Sequence, residues 1–219
     1  MNWSPLVLSF QVATIATVAA AILGIGLATV LARGRFPGRD LLDVLVTAPM
    51  VLPPTVLGYY VLVALGRRSV VGQLFETVTG TSIVFTQTGA VVAAALGSLP
   101  IIVKGARTAL EGVDERLVLA ARTLGAGPGR AFFTVHLPLA APGIIAGIML
   151  GFARALGDFG LTLMIAGSIP GVTRTAALAI YDAIEAQRDG EARLMVAVLT
   201  AVAIVILYSV NKLTARSHG

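Results

Sequence analysis

The sequence predicts an all-α, polytopic transmembrane helix bundle with about five spans, and three observations carry that prediction. Of 219 residues, 57% are apolar and only 12% charged, with a mean hydropathy of +0.91. A soluble domain of this size carries about 25% charged residues. Several uncharged stretches reach the roughly 20 residues that a helix needs to cross a lipid bilayer. Aromatic residues make up only 6% of the chain while glycine numbers 24. That balance suits closely packed helices and not a barrel, whose strands would alternate in polarity.

The spans follow in order. The first runs over 6–31, with no charge before Arg33, and the second over 44–65. The third covers 83–103 and the fourth 139–166. The fifth, 194–211, is the shortest, and a sixth half-span is open between Ile180 and Arg193. No Lys or Arg precedes the first apolar run and no cleavage site follows it, so it reads as a retained span and not a signal peptide. One membrane domain, 6–213, accounts for nearly the whole chain.

Lys and Arg in the short loops set the direction. Arg33, Arg35, Arg39, Lys104, Arg107, Arg116, Arg122, Arg130, Lys212 and Arg216 fall on one side. Arg67, Arg68, Arg174, Arg188 and Arg193 fall on the other, with Arg154 inside the fourth span. The bias places the N-terminus outside and the C-terminus in the cytoplasm. It also explains a pI near 10.2 without nucleic acid, because the basic residues lie scattered at segment ends and form no stripe.

The cytoplasmic segment 104–138 is too rich in charge and turn residues to be a plain connector. Leu117, Ala120, Ala121 and Leu124 fall at i, i+3, i+4 and i+7, which predicts a short helix with one small apolar face. Gly125 can take the positive φ that ends such a helix. Pro128, in the G-P-G turn, is placed to start a second helix carrying Arg130, Phe132, Phe133 and Val135 up to Pro138. Apolar surface outside the bilayer marks a protein contact; a loop folded back on its own bundle is the other reading.

L-A-A-R-T-L-G (119–125), nine residues, then V-H-L-P (135–138) resembles the cytoplasmic signature of ABC importer permeases: E-A-A, three residues, G, nine residues, I-x-L-P. Ala120, Ala121, Gly125, Leu137 and Pro138 match; Leu119 stands where the family usually has Glu. P-M-V-L-P-P-T-V-L-G-Y-Y (49–60), L-E-G-V-D-E-R (110–116), A-A-R-T-L-G-A-G (120–127), F-A-R-A-L-G-D-F-G (152–160) and I-P-G-V-T-R-T (169–175) look like the molybdate branch; sulfate permeases share the loop. The resemblance implies a type-I importer permease fold in the cytoplasmic (inner) cell membrane. It makes the loop, with Ala126 among its residues, a coupling helix docked on an ATPase subunit. It implies a homodimer beside two ATPase subunits, which hold ATP and Mg, and an external molybdate-binding protein. Tungstate and sulfate stay open as cargo.

The remaining polar residues are few. Gly143, Gly147 and Gly151 repeat every fourth residue, and small residues at that spacing let helix backbones approach closely; packing and pore lining both remain open. Arg154 and Asp158 lie four apart in a span, either a pathway pair or a self-neutralising one. Pro49, Pro53 and Pro54 break the second span, either as a packing kink or as a bent helix lining the pathway, where hydroxyls such as Thr55 and N–H groups at the break could guide an anion.

Enzymatic readings fit badly. Asp158 and Asp182 resemble pieces of an aspartyl intramembrane protease pattern, but in the wrong order and without the first glycine. The only histidines, His136 and His218, fall at cytoplasmic positions, where neither can activate a membrane serine. The chain has no H-E-x-x-H metal motif and no G-x-x-x-x-G-K-[ST], so a catalytic site, a metal site and a cofactor of its own are not expected. Zero cysteines exclude a disulfide framework. A channel or secondary transporter is the rival from another class; it would not need the exposed coupling surface.

Overall fold

The computed structural model describes residues 3–34 and 36–215; Arg35, Arg216 and His218 lie outside the described residues. Every regular element among the described residues is helical. The order is α1 (Ser4–Arg33), α2 (Arg39–Val51), α3 (Pro54–Leu65), α4 (Val70–Thr79), α5 (Gln87–Glu111) and α6 (Glu115–Thr123). There follow α7 (Pro128–Ala131), a π turn (Phe132–His136), α8 (Leu137–Leu156), α9 (Gly160–Ala166), α10 (Ala176–Glu185) and α11 (Asp189–Ala215).

Three helices form the centre. The first, α1, is rich in Ala, Leu, Ile and Val, and its only proline, Pro5, sits in the first turn, where a missing N–H costs nothing. It lies beside α5 and runs the same way: Leu8, Val12 and Ala16 cluster with Ala90 and Ala94, and Leu31 with Val103 and Leu110. The antiparallel α8 sets Gly151 over Ile102, Gly147 over Gly105 and Gly143 over Ala109. Its other side packs on α11 through Ala146, Ile206 and Val210. At the end opposite α6, α10 joins α1 and α11 around Leu6, Ala176, Ala179 and Met195. The pair α3 and α9 packs Leu57 and Val61 on Leu161 and Ile165.

The helices differ from the sequence-derived spans at several edges. The second span is not one helix over 44–65 but α2 and α3, bent by 116° at the break. Pro49 stays inside α2, since one missing N–H leaves the turn intact. Pro53 and Pro54 together remove the donors for the carbonyls of Pro49 and Met50, and Leu52 and Pro53 turn extended. The third span begins at Gln87 and runs eight residues past Val103, so Lys104 and Arg107 belong to a helix and not to a loop beginning at 104. The fourth ends at Leu156; Gly157–Phe159 interrupt it and α9 follows. The fifth is longer than 194–211, because Arg193 and Lys212 lie within the ends of α11. Only ten residues long, α10 is too short to cross, and no sixth span occurs among the described residues. Among the described residues, four helices are long and apolar enough to cross a membrane, five crossings if the bent pair is one.

Candidate functional site

Residues 112–138 build a projecting element at one end of the bundle. Asp114 caps α6 by accepting from the Arg116 N–H at 2.9 Å. Gly125, at φ +89, closes it: its N–H donates to Arg122 O at 3.0 Å and the Ala126 N–H to Ala121 O at 3.1 Å. Those paired bonds are the Schellman closure, in which glycine avoids the Cβ clash of the left-handed region. The expected single apolar face divides in two. Val118 is buried and Ala121 half-buried against the bundle, while Leu117, Ala120 and Leu124 point out, Leu124 at 88% exposure. Leu119, at the position of the family's Glu, is exposed too.

The second helix does not stop at Pro138. Instead α7, the π turn and α8 form one continuous helix, and the Leu137 N–H reaches back five residues to Phe132 O. Pro138 lies in the first turn of α8, and the wider π turn accommodates its missing donor. Phe132 anchors this turn. The Arg33 guanidinium sits 4.5 Å from its ring centroid, and the Phe133 and His136 rings pack at 5.2 and 5.7 Å. His136 Nε2 donates to Leu110 O at 3.0 Å, and Leu137 joins Phe132 in the cluster around Leu31 and Leu110. Arg130 and Phe133 remain exposed. The projecting α6 thus connects through one stiff turn to α1, α5 and α8.

Beside it lies an ion cluster that the sequence reading missed. Asp43 of α2 accepts from Lys104 Nζ and from Arg107 Nη1, each at 2.9 Å. Arg107 Nε also donates to Glu111 at 2.8 Å, and Arg39 reaches Glu111 at 3.6 Å and Leu31 O at 2.8 Å. The signal was present: Asp43 stands at the margin of an apolar run, where an acid is costly without a partner. A groove of about 780 Å³ opens between α5 and α8 at this end, flanked by Met50, Leu117 and Thr214.

Arg154 and Asp158 do meet, at 2.9 Å. Asp158 is buried, and its second oxygen accepts from the Thr162 N–H at 2.9 Å and from Thr162 Oγ1 at 2.7 Å. The carboxylate therefore also holds the first turn of α9. Arg154 keeps 36% side-chain exposure. Pro53, Pro54 and Thr55 are exposed at the kink and the first turn of α3, where Pro54 lies against Gly160 at the start of α9. Asp182 accepts from Ser168 Oγ at 2.7 Å and pairs with Arg174 at 3.0 Å, locking the loop before α10.

Comparison with known proteins decides the family. The family model described as the binding-protein-dependent transport system inner membrane component matches residues 7–217. The chain belongs to this family. It is a multi-pass inner-membrane transport component, 45% identical over 210 residues to the molybdenum transport system permease protein ModB of Escherichia coli strain K12, covering 95% of this chain and 92% of that one. The probable sulfate transport system permease protein cysT of Chlorokybus atmophyticus is 31% identical over 208 residues, covering 95% and 72%. Among solved structures, a chain of the inward-facing MetNI methionine ABC transporter superposes with a TM-score of 0.66 at 18% identity, covering 96% of this component and 93% of that chain. The fold is that of type-I ABC importer permeases.

Proposed function

We propose that this chain is the membrane-spanning subunit of an ATP-driven importer and forms the pathway for molybdate across the inner membrane. The observation that carries the reading is α6. Leu117, Ala120 and Leu124 face outward on a helix that the Schellman closure and the π turn fasten to the bundle. A bilayer cannot cover a face that projects beside capped, charged turns; a partner protein can. The partner is an ATPase subunit, since the chain has no phosphate-binding loop of its own. Two permease and two ATPase subunits would work with an external binding protein, and ATP and Mg would sit on the ATPases. ATP acts by binding one arrangement of the complex better than another, and α6 passes that preference through the π turn to α8 and α5. Molybdate is favoured over sulfate by the higher identity to the molybdenum permease, 45% against 31%.

Coexpression with the ATPase and binding protein tests this directly. The chain should copurify with the ATPase, stimulate its hydrolysis, and take up molybdate into proteoliposomes in preference to sulfate. Uptake without ATP would favour the channel or secondary transporter, and preferred sulfate uptake would reassign the cargo.

A further inference from the structure

Among the described residues that line the α5–α8 groove, Lys104 is the one cation; the one anion, Asp114, is engaged by the Arg116 N–H as the cap of α6. The Lys104 side chain is 43% exposed, and its Nζ is held by one oxygen of Asp43. The other oxygen holds Arg107, which is only 19% exposed and is held again by Glu111. The row of pairs therefore has a loose end. Removing one partner from a buried pair is costly because it strands a charge. When Lys104 leaves, Asp43 keeps Arg107 and Arg107 keeps Glu111, so no member of the cluster is stranded.

We propose that Lys104 contacts a tetrahedral oxyanion in this groove, and that Asp43 is a positioning residue that competes with the anion for the ammonium. The proposal rests on the reading of the chain as an oxyanion permease. An ammonium offers three donors that can turn toward the anion's oxygens. Transport also requires binding weak enough for the ion to leave, and an unopposed cation in this largely apolar groove would hold a dianion. Asp43 supplies the opposition by reclaiming Lys104. Because Asp43 belongs to α2, the inner half of the broken span, the position of α2 against α5 sets how available Lys104 is.

The test uses the assembled permease–ATPase complex. Molybdate binding is measured at equilibrium without the binding protein, and uptake is measured in proteoliposomes with it. Asp43→Asn keeps the shape and removes the charge. It should tighten molybdate binding on the order of tenfold while lowering both the half-saturating concentration and the maximal rate of uptake. Lys104→Gln should weaken binding by a similar factor, and Lys104→Arg should retain it. Opposite signs distinguish this role from a plain tether between α2 and α5, which would move both variants the same way. Binding changes of one sign, or none, overturn the proposal. A wild-type complex that hydrolyses ATP yet takes up no oxyanion overturns the functional reading instead.

Discussion

A methyl group is enough to test the centre of the bundle. A Cβ at Gly143 would stand 2.6 Å from Ala109 Cβ, and one at Gly151 only 2.5 Å from Ile102 Cγ1. Neither neighbour can retreat, since Ile102 is fully buried and Ala109 has no rotamer to change. Gly143→Ala and Gly151→Ala should each destabilise the protein by about 1–3 kcal/mol, read as a lower thermal midpoint in detergent. Gly26→Ala is the control, because nothing lies within 4 Å of the added carbon. It should leave the midpoint unchanged or raise it, as alanine is the better helix former. Asp158 makes a sharper case. Asp158→Ala removes the partner of Arg154 and both bonds to Thr162, and hydrogen bonds to a charged group are worth about 1.5–3 kcal/mol each. Arg154→Gln removes one bond to Asp158 and leaves both from Thr162, and the arginine side chain it replaces is 36% exposed. Membrane abundance should therefore fall much further for Asp158→Ala than for Arg154→Gln. Full uptake by Arg154→Gln would make the pair structural; normal abundance with lost uptake would place Arg154 in the pathway.

At the scale of the element, α6 separates fold from contact. Val118 faces inward, so Val118→Asp should loosen α6 from the π turn and reduce permease abundance. Ala120 and Leu124 face outward, so Ala120→Trp and Leu124→Ala should insert normally yet copurify poorly with the ATPase. Gly125→Val places a β-branched residue at φ +89, a strain of roughly 1–3 kcal/mol, and should misdirect the element with the spans intact. Normal copurification and transport in all three outward or closing variants would remove the coupling assignment. These elements were legible to different depths. Gly125 was readable because one φ requirement selects one residue type, and the Pro53–Pro54 break because two adjacent donors are missing. The division between Val118 and Leu117 was not readable, since periodicity identifies an apolar face without saying which neighbour covers it. Helices run past the expected spans where charges are paired, across helices by Asp43 and within α5 by Glu111. Lys104 and Arg107 end an apolar window in sequence, whereas in the bundle Asp43 and Glu111 let the helix continue through them.

Across the whole molecule, the basic residues sort by end. Arg33, Arg39, Lys104, Arg107, Arg116, Arg122, Arg130 and Lys212 gather at the α6 end, whereas Arg67, Arg68, Arg174, Arg188 and Arg193 lie toward the other. The directions of the helices agree with this sorting, because α1, α5 and α11 run the same way and α8 runs back between them. An odd number of crossings places the two ends of the chain on opposite faces, and the excess of Lys and Arg assigns the α6 end to the cytoplasm. The bent pair α2–α3 supplies the fifth crossing: α1 and α5 run the same way, and α4 is too short to cross, so the chain between them must cross once through α2 and α3. A reporter fused beyond α11 should therefore be cytoplasmic, and one inserted beside Arg188, in the turn before α11, should be external. A third, placed between α3 and α4 beside Arg68, tests the bend itself. It should be external, because α2 and α3 cross together. Dual reporters, active on opposite sides of the membrane, read all three positions. A C-terminal reporter on the outside would overturn the orientation, and a cytoplasmic signal at Arg68 would overturn the crossing through α2 and α3.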